Sequence, residues 1–212
     1  MANYSNYRFP IAEANRLASL TGIEQDLLGV ISYCDYLIER SDIAKLDALV
    51  WEAISAAAIV RYARCFTTGV RDALTRELFN TDNDLAKKHD RFIDLRSKHV
   101  AHSVNNLEEN EVVVQIGDHY VSSTEIRSIN TMHKRVVGLS LNEPHALKQI
   151  SQTVLEKARA MMVEEKALLL ELARGCPLAE LRHNGLPDLS LDEKIDSPRQ
   201  ALGKRKRKGG AL

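Results

Sequence analysis

Residues 54–60 read Ile-Ser-Ala-Ala-Ala-Ile-Val, inside a stretch from Ile43 to Thr68 that holds neither proline nor glycine. A helix built on this run is apolar nearly all the way round, and such a helix is stable only when neighbours cover it on several sides. Its alanines let a second helix come close. The segment therefore requires a bundle of helices. The rest of the chain can supply one: only 5% of residues are aromatic, and Ala, Leu, Glu and Lys, which favour helix, are abundant. At 212 residues the chain can bury a core without disulfides or metal.

Punctuation along the chain sets the expected elements. Residues 1–12 are irregular around Pro10, and a helix is expected from Glu13 to Arg40, with a break near Thr21-Gly22. Ser41 or Asp42 is suited to cap a second helix from Ile43 to Phe79, in which Gly69 marks a kink or a tight contact. The turn 80–84 carries good N-cap residues and opens a third helix from Leu85 to Val104. Val112-Val113-Val114-Gln115-Ile116, then Gly117-Asp118, then His119-Tyr120-Val121 predicts a β-hairpin over 111–122 on a tight turn. Ser122 and Glu125 form a capping box for a short helix to Leu139. Pro144 suits the first turn of a last long helix, which ends near Arg174 before Gly175 and Pro177. The expected fold is all-α: an up-and-down bundle of four to five helices over 13–175, with a small β-hairpin insertion after the third helix. Residues 176–212 read as a mobile tail, because apolar periodicity fades there.

Charge is distributed unevenly. From Ser197 to Leu212 there are six basic residues and no acidic ones, while the remaining 196 residues hold 23 basic against 29 acidic. An acidic body argues against a dedicated duplex-DNA binder, whose folded face is basic. The run Lys204-Arg205-Lys206-Arg207-Lys208 suits electrostatic RNA contact, a nuclear-localisation pattern or a solubilising end. Three cysteines lie far apart with no CxxC, which fits reduced thiols in an intracellular chain. No basic-then-apolar leader and no run of membrane-spanning length is present, so the expected location is cytoplasmic, with no membrane partner.

One charge falls in an unexpected place. On a helical wheel at about 100° per residue, Arg96 lies near the centre of the apolar stripe of the third helix, with Val100, Ile93, Leu85 and Phe92 within about 60° of it. Arginine is costly to bury without a partner. His99 and His102 follow on one side, and His102 stands roughly 9 Å further along the axis. A guanidinium matches phosphate oxygens and stays charged at any working pH. A histidine titrates near neutrality and moves protons. The pair can hold a phosphodiester and take the proton of a ribose 2′-hydroxyl without a metal or other cofactor.

Leu95-Arg96-Ser97-Lys98-His99-Val100-Ala101-His102, late in a helix of an all-α chain, resembles the Arg-x4–6-His signature of HEPN domains, and the Ala-His ending with a hairpin behind it resembles the abortive-infection-type branch. The resemblance implies a HEPN-like bundle over residues 13–175 and metal-independent RNA cleavage leaving a cyclic phosphate. It implies Arg96 and His102 as catalytic residues, with Ser97, Lys98 and His99 lining the RNA cleft. It further implies a homodimer that brings two motifs to one cleft, a toxin–antitoxin or anti-phage defence setting, and a possible cognate antitoxin protein. Ser97 stands where many active members have Asn, Asp or His, and the tyrosine that follows the histidine in some toxins is absent. A non-catalytic HEPN-like module that binds a partner protein or a nucleotide is the alternative.

Plainer roles exist for the same residues. Arg96 can pair internally with Glu52 or Asp72, and His102 can cap a helix carbonyl. His99 and His102 form an HxxH, but no nearby Cys, Asp or Glu completes a zinc set, so no metal is expected. A lone Glu180-Leu181-Arg182-His183 lies in the tail, where di-iron bundles need paired motifs. Arg61 and Arg64 share a face and either extend a phosphate-binding surface or sit solvated with their stems packed down, and Cys65 is expected to be a buried, inert thiol.

Overall fold

A computed structural model describes residues 6–41, 47–69, 71–97, 108–116, 126–135 and 138–183. Among these residues the fold is mostly helical, with one antiparallel two-stranded hairpin. No described helix is long and apolar enough to cross a membrane.

The helix α1 (Ala14–Glu39) is continuous through Thr21-Gly22. The helix α2 (Ala48–Arg64) starts later than expected, because Asp47 rather than Ser41 or Asp42 caps it, accepting from the Leu49 and Val50 amides at 3.0 and 3.2 Å. None of residues 54–60 is exposed, as the apolar run requires. The last helix, α4 (Glu143–Arg174), opens on Pro144 and closes at Gly175. Three ion pairs fix the direction of α4 against α1. Arg16 meets Glu165 at 2.8 Å, Glu24 meets Arg159 at 2.7 Å, and Asp35 meets Lys148 at 2.5 Å. Numbers rise along one helix as they fall along the other, so the two are antiparallel. Leu27, Val30 and Leu37 of α1 close the core with Leu147, Ile150, Val154 and Ala158 of α4, all at 0% exposure.

The second helix stops fifteen residues short of Phe79. Its last carbonyls are taken by the segment that follows: the Thr67 hydroxyl donates to Ala63 O at 2.7 Å, Arg71 Nη2 to Arg64 O at 3.1 Å, and the Leu74 amide to Cys65 O at 2.8 Å. These bonds replace another helical turn with a loop folded back on the helix end. Arg71 also reaches Asp26 of α1 at 2.5 Å, which holds the loop against the bundle. Gly69 lies exposed in this loop and neither kinks a helix nor makes a close contact. A 3-10 turn at Arg76–Phe79 leads to α3 (Asn83–Leu95), capped by Asp82 through the amides of Asp84 and Leu85, each at 3.0 Å. Winding widens to a π-type turn at Arg96-Ser97.

The hairpin differs from expectation in its second half. The strand β1 (Glu108–Ile116) pairs antiparallel with β2 (Ile126–Arg135), with a bulge where Gln115 faces Ser128 but Ile116 faces Ile126. Residues 126–135 are therefore strand, where the capping box predicts helix; pairing with the valines of β1 overrides the local signal. A two-residue turn at Gly117-Asp118 cannot join strands whose nearest partners are Ile116 and Ile126. Positions 117–125, with Ser122 and Glu125, lie outside the described residues. A short helix, α5 (Leu178–His183), buries no residue and occupies the start of the region read as tail. The basic run 204–208 lies outside the described residues.

Candidate functional site

On α3 the buried residues are Ala86, His89, Phe92 and Leu95, three apart, and Arg96 continues the same face two turns beyond His89. Arg96 emerges half-buried at the helix end, where the bundle no longer covers it. There it lines a cavity of about 380 Å³ with Ser97, His89, Ile93, Arg76 and the α2–α3 connection, which contributes Phe66, Thr67, Thr68 and Thr75. The wall thus combines two guanidiniums, four hydroxyls, one imidazole and aromatic carbon.

The two arginines differ in what they hold. Arg76 is clamped on Asp90 through two bonds, Nε to Oδ1 at 2.8 Å and Nη2 to Oδ2 at 2.7 Å. This clamp raises the Arg76 pKa and holds the Asp90 carboxyl below its usual range. Arg96 has no carboxylate within ion-pair distance among the described residues, and neither Glu52 nor Asp72 pairs with it. Its charge remains available to an anion in the cavity.

His89 is the residue that sequence reasoning missed. Only 4% of it is exposed, and it is boxed by the rings of Phe66, Phe79 and Tyr62 with centroids at 4.4, 4.8 and 5.9 Å. Its Nδ1 lies 3.0 Å from the Tyr62 hydroxyl. Burial raises the Tyr62 pKa, so that group stays a phenol, and no other bond to it occurs among the described residues. The tyrosine therefore donates to Nδ1, since the opposite arrangement strands a buried O–H. That tautomer leaves the proton of the imidazole on Nε2. Burial, with a smaller contribution from Arg76, lowers the His89 pKa although Asp90 opposes it. His89 is therefore neutral at pH 7, with its one N–H on Nε2. The available signal was its position seven residues before Arg96, on one face of an amphipathic helix.

The remaining predicted residues divide between the cavity and elsewhere. Ser97 lines the cavity with Arg96. Lys98, His99 and His102 lie outside the described residues. Arg61 and Arg64 do not line the cavity: the first sits over the Tyr33 ring at 5.4 Å, and the second lies 3.6 Å from Asp26. Cys65 is buried and its thiol is pushed up to about 12, chiefly by burial, which makes it a poor nucleophile. Among the described residues no three His, Cys, Asp or Glu side chains converge as metal ligands would. A smaller cavity of about 100 Å³ beneath Arg16 and Asp72 is walled mainly by hydrocarbon from Leu20, Ile23, Leu74, Leu78 and Met161.

The cavity can bind an anion through charge at Arg96, through hydroxyls at Ser97 and Thr68, and through one neutral N–H donor, with an aromatic wall to one side; the Thr67 and Thr75 hydroxyls donate instead to Ala63 O and to Glu77. Compared with known proteins, the chain matches no family model, no curated protein and no solved structure.

Proposed function

We propose that the protein is a metal-independent endoribonuclease of HEPN type, acting as a homodimer in a toxin–antitoxin or anti-phage defence setting. The observation that carries this reading is Arg96: a permanent cation, half-buried, without a carboxylate partner among the described residues, on the wall of a hydroxyl-lined cavity. In this reading Arg96 grips the scissile phosphate and stabilises the charge that grows on it. His102 accepts the proton of the ribose 2′-hydroxyl. The 2′-oxygen bonds to phosphorus, the bond to the 5′-oxygen breaks, and that oxygen leaves with a proton taken from water. A 2′,3′-cyclic phosphate and a 5′-hydroxyl result. Ser97, Lys98 and His99 line the RNA path. The reading is tested by incubating RNA with the protein in EDTA. Wild type cleaves, while Arg96→Ala and His102→Ala each lose cleavage by about 100-fold or more. Equal cleavage by all three proteins rejects the assigned roles.

A second reading is favoured by one feature. The described imidazole of the cavity is held by Tyr62 as a neutral donor, an arrangement for holding a ligand rather than for taking its proton. Under it the chain is a non-catalytic module whose cavity binds a nucleotide or an anionic group of a partner protein. Binding of a nucleotide that weakens in Arg96→Ala, with no cleavage by wild type, selects this reading.

A further inference from the structure

The wall of the cavity at the end of α3 carries two unlike polar groups. Arg96 brings a charge with no carboxylate partner among the described residues. His89 stands seven residues earlier on the same face, roughly 10 Å along the axis at 1.5 Å per residue. The His89 end bears no free charge. Its imidazole is neutral, and the other cation of the wall, Arg76, is held by Asp90 through two bonds. Among the described residues, Ser55 Oγ is the one side-chain nitrogen or oxygen that is both sealed from solvent and unbonded. His89 Nε2 has no bond among them either, so it is not sealed. A ring that is only 4% exposed therefore opens this N–H on the cavity it lines. Ile93, four residues past His89, and Phe66, whose ring centroid lies 4.4 Å from the imidazole, put carbon beside it.

We infer that His89 selects the base at this site: its Nε2–H donates to an acceptor atom of a nucleobase whose 5′-phosphate rests on Arg96. Charge and reach argue for that ligand. A second anionic group at the His89 end would lose its hydration with no free cation to receive it and with the Asp90 carboxylate close by. A neutral acceptor on the edge of a flat, apolar ring meets no such penalty. The two groups are set apart along the helix, and a 5′-linkage, with one carbon more between base and phosphate than a 3′-linkage, gives the longer reach. A cavity of about 380 Å³ is at the lower end for small-ligand sites, which suits one nucleotide. The inference rests on the preceding reading for the phosphate at Arg96 and adds to it a preference for the base just after the cut, whose 5′-oxygen is the leaving group.

The test is calorimetric titration of the full chain in EDTA at pH 7 with three probes: uridine 5′-monophosphate, ribose 5-phosphate, and phenylriboside 5′-phosphate, whose ring carries no acceptor. Wild type binds the uridine nucleotide about 10-fold more tightly than the phenyl analogue, the worth of one hydrogen bond in a dry site. This comparison needs no variant. Tyr62→Phe/His89→Phe removes both partners of the buried pair, keeps the rings and leaves no stranded hydroxyl. In it the uridine nucleotide binds as weakly as the phenyl analogue, while ribose 5-phosphate binds as in wild type. Arg96→Ala weakens all three probes by about 10-fold or more. No binding of the uridine nucleotide by wild type, equal binding of it and the phenyl analogue, or an equal loss of all three probes in the double variant overturns the inference. Failure here and failure of the nuclease reading are read separately. Base-selective binding without RNA cleavage removes the nuclease and keeps the base site; cleavage without base-selective binding does the reverse.

Discussion

Ile59 in α2 and Ile129 in β2 are the same hydrocarbon, yet the first is 1% exposed and the second 70%. Ile59 belongs to the buried cluster to which α1, α2, α3 and α4 all contribute. Ile129 sits on a ribbon whose apolar face meets no helix face among the described residues. The helical core answers its own burial requirement within one chain, and the ribbon does not. The contrast shows where apolar surface is buried within the chain and where it is left exposed. The ribbon follows the helix that carries Arg96, so the half-buried cation and the bare apolar face are neighbours in sequence.

The contrast is sharpest under truncation. Leu27→Ala in the core costs about 3 kcal/mol through lost burial and a residual cavity, whereas Ile129→Ala lowers the stability of the monomer by less than about 0.5 kcal/mol. Urea denaturation of dilute protein, followed by helical circular dichroism, measures both. Similar costs at the two sites would mean that the ribbon is part of the core after all.

Next in size is the joint between the two regions. Gly138, after β2, has φ +73° and lies so close to α2 that a Cβ would stand 2.8 Å from Ser55 Oγ and 3.1 Å from Trp51 Cδ1. The same segment accepts the indole N–H of Trp51 at Leu139 O, 2.7 Å away. Gly138→Ala is expected to cost about 2 kcal/mol from strained backbone and steric overlap. Gly69→Ala, with nothing within 4 Å of its Cβ position, is expected to stay within about 0.5 kcal/mol of wild type. Equal melting temperatures for the two variants would remove the joint from the argument.

A smaller effect sharpens the description of the core itself and concerns the Tyr62–His89 pair. Tyr62→Phe removes the donor to His89 and is expected to cost about 1 kcal/mol, seen in the same denaturation assay. The pH dependence of this pair has a definite sign. Burial depresses the folded-state pKa of His89 below its usual 6.5. Above that value the imidazole is neutral in both folded and unfolded chains and contributes no slope. As pH falls below 6.5 the unfolded chain binds a proton that the folded chain resists, so stability declines until the folded pKa is passed. Melting temperatures from pH 8 to pH 5 are expected to fall more steeply for wild type than for His89→Gln. Parallel curves would show that His89 is not held neutral by burial.

Local patterns were legible wherever one segment carried its own instruction. The apolar run 54–60, the proline at 144 and the glycine at 175 each act within a few residues, and the helices they imply are present. The end of α2 was not legible, because Arg71, Thr67 and Leu74 cap its carbonyls from a loop. The strand at 126–135 was hidden behind a capping box whose local preference lost to pairing with β1. Half of the candidate site could be read from spacing: Arg96 interrupts an apolar stripe. His89 carried only its place on that stripe, seven residues before Arg96, and its role was set when Tyr62 and two phenylalanines closed around it.

By itself the sequence determined that helices would dominate, and that an arginine would lie on the apolar face of the third, because periodicity and propensity act over one to four turns. Tertiary structure alone decided that this arginine has no carboxylate beside it among the described residues, that a neutral histidine stands on the same wall, and that a valine-rich ribbon is left uncovered. Those outcomes depend on which groups from distant segments arrive within a few ångströms, and charge pairing, desolvation and burial are all set by such arrivals.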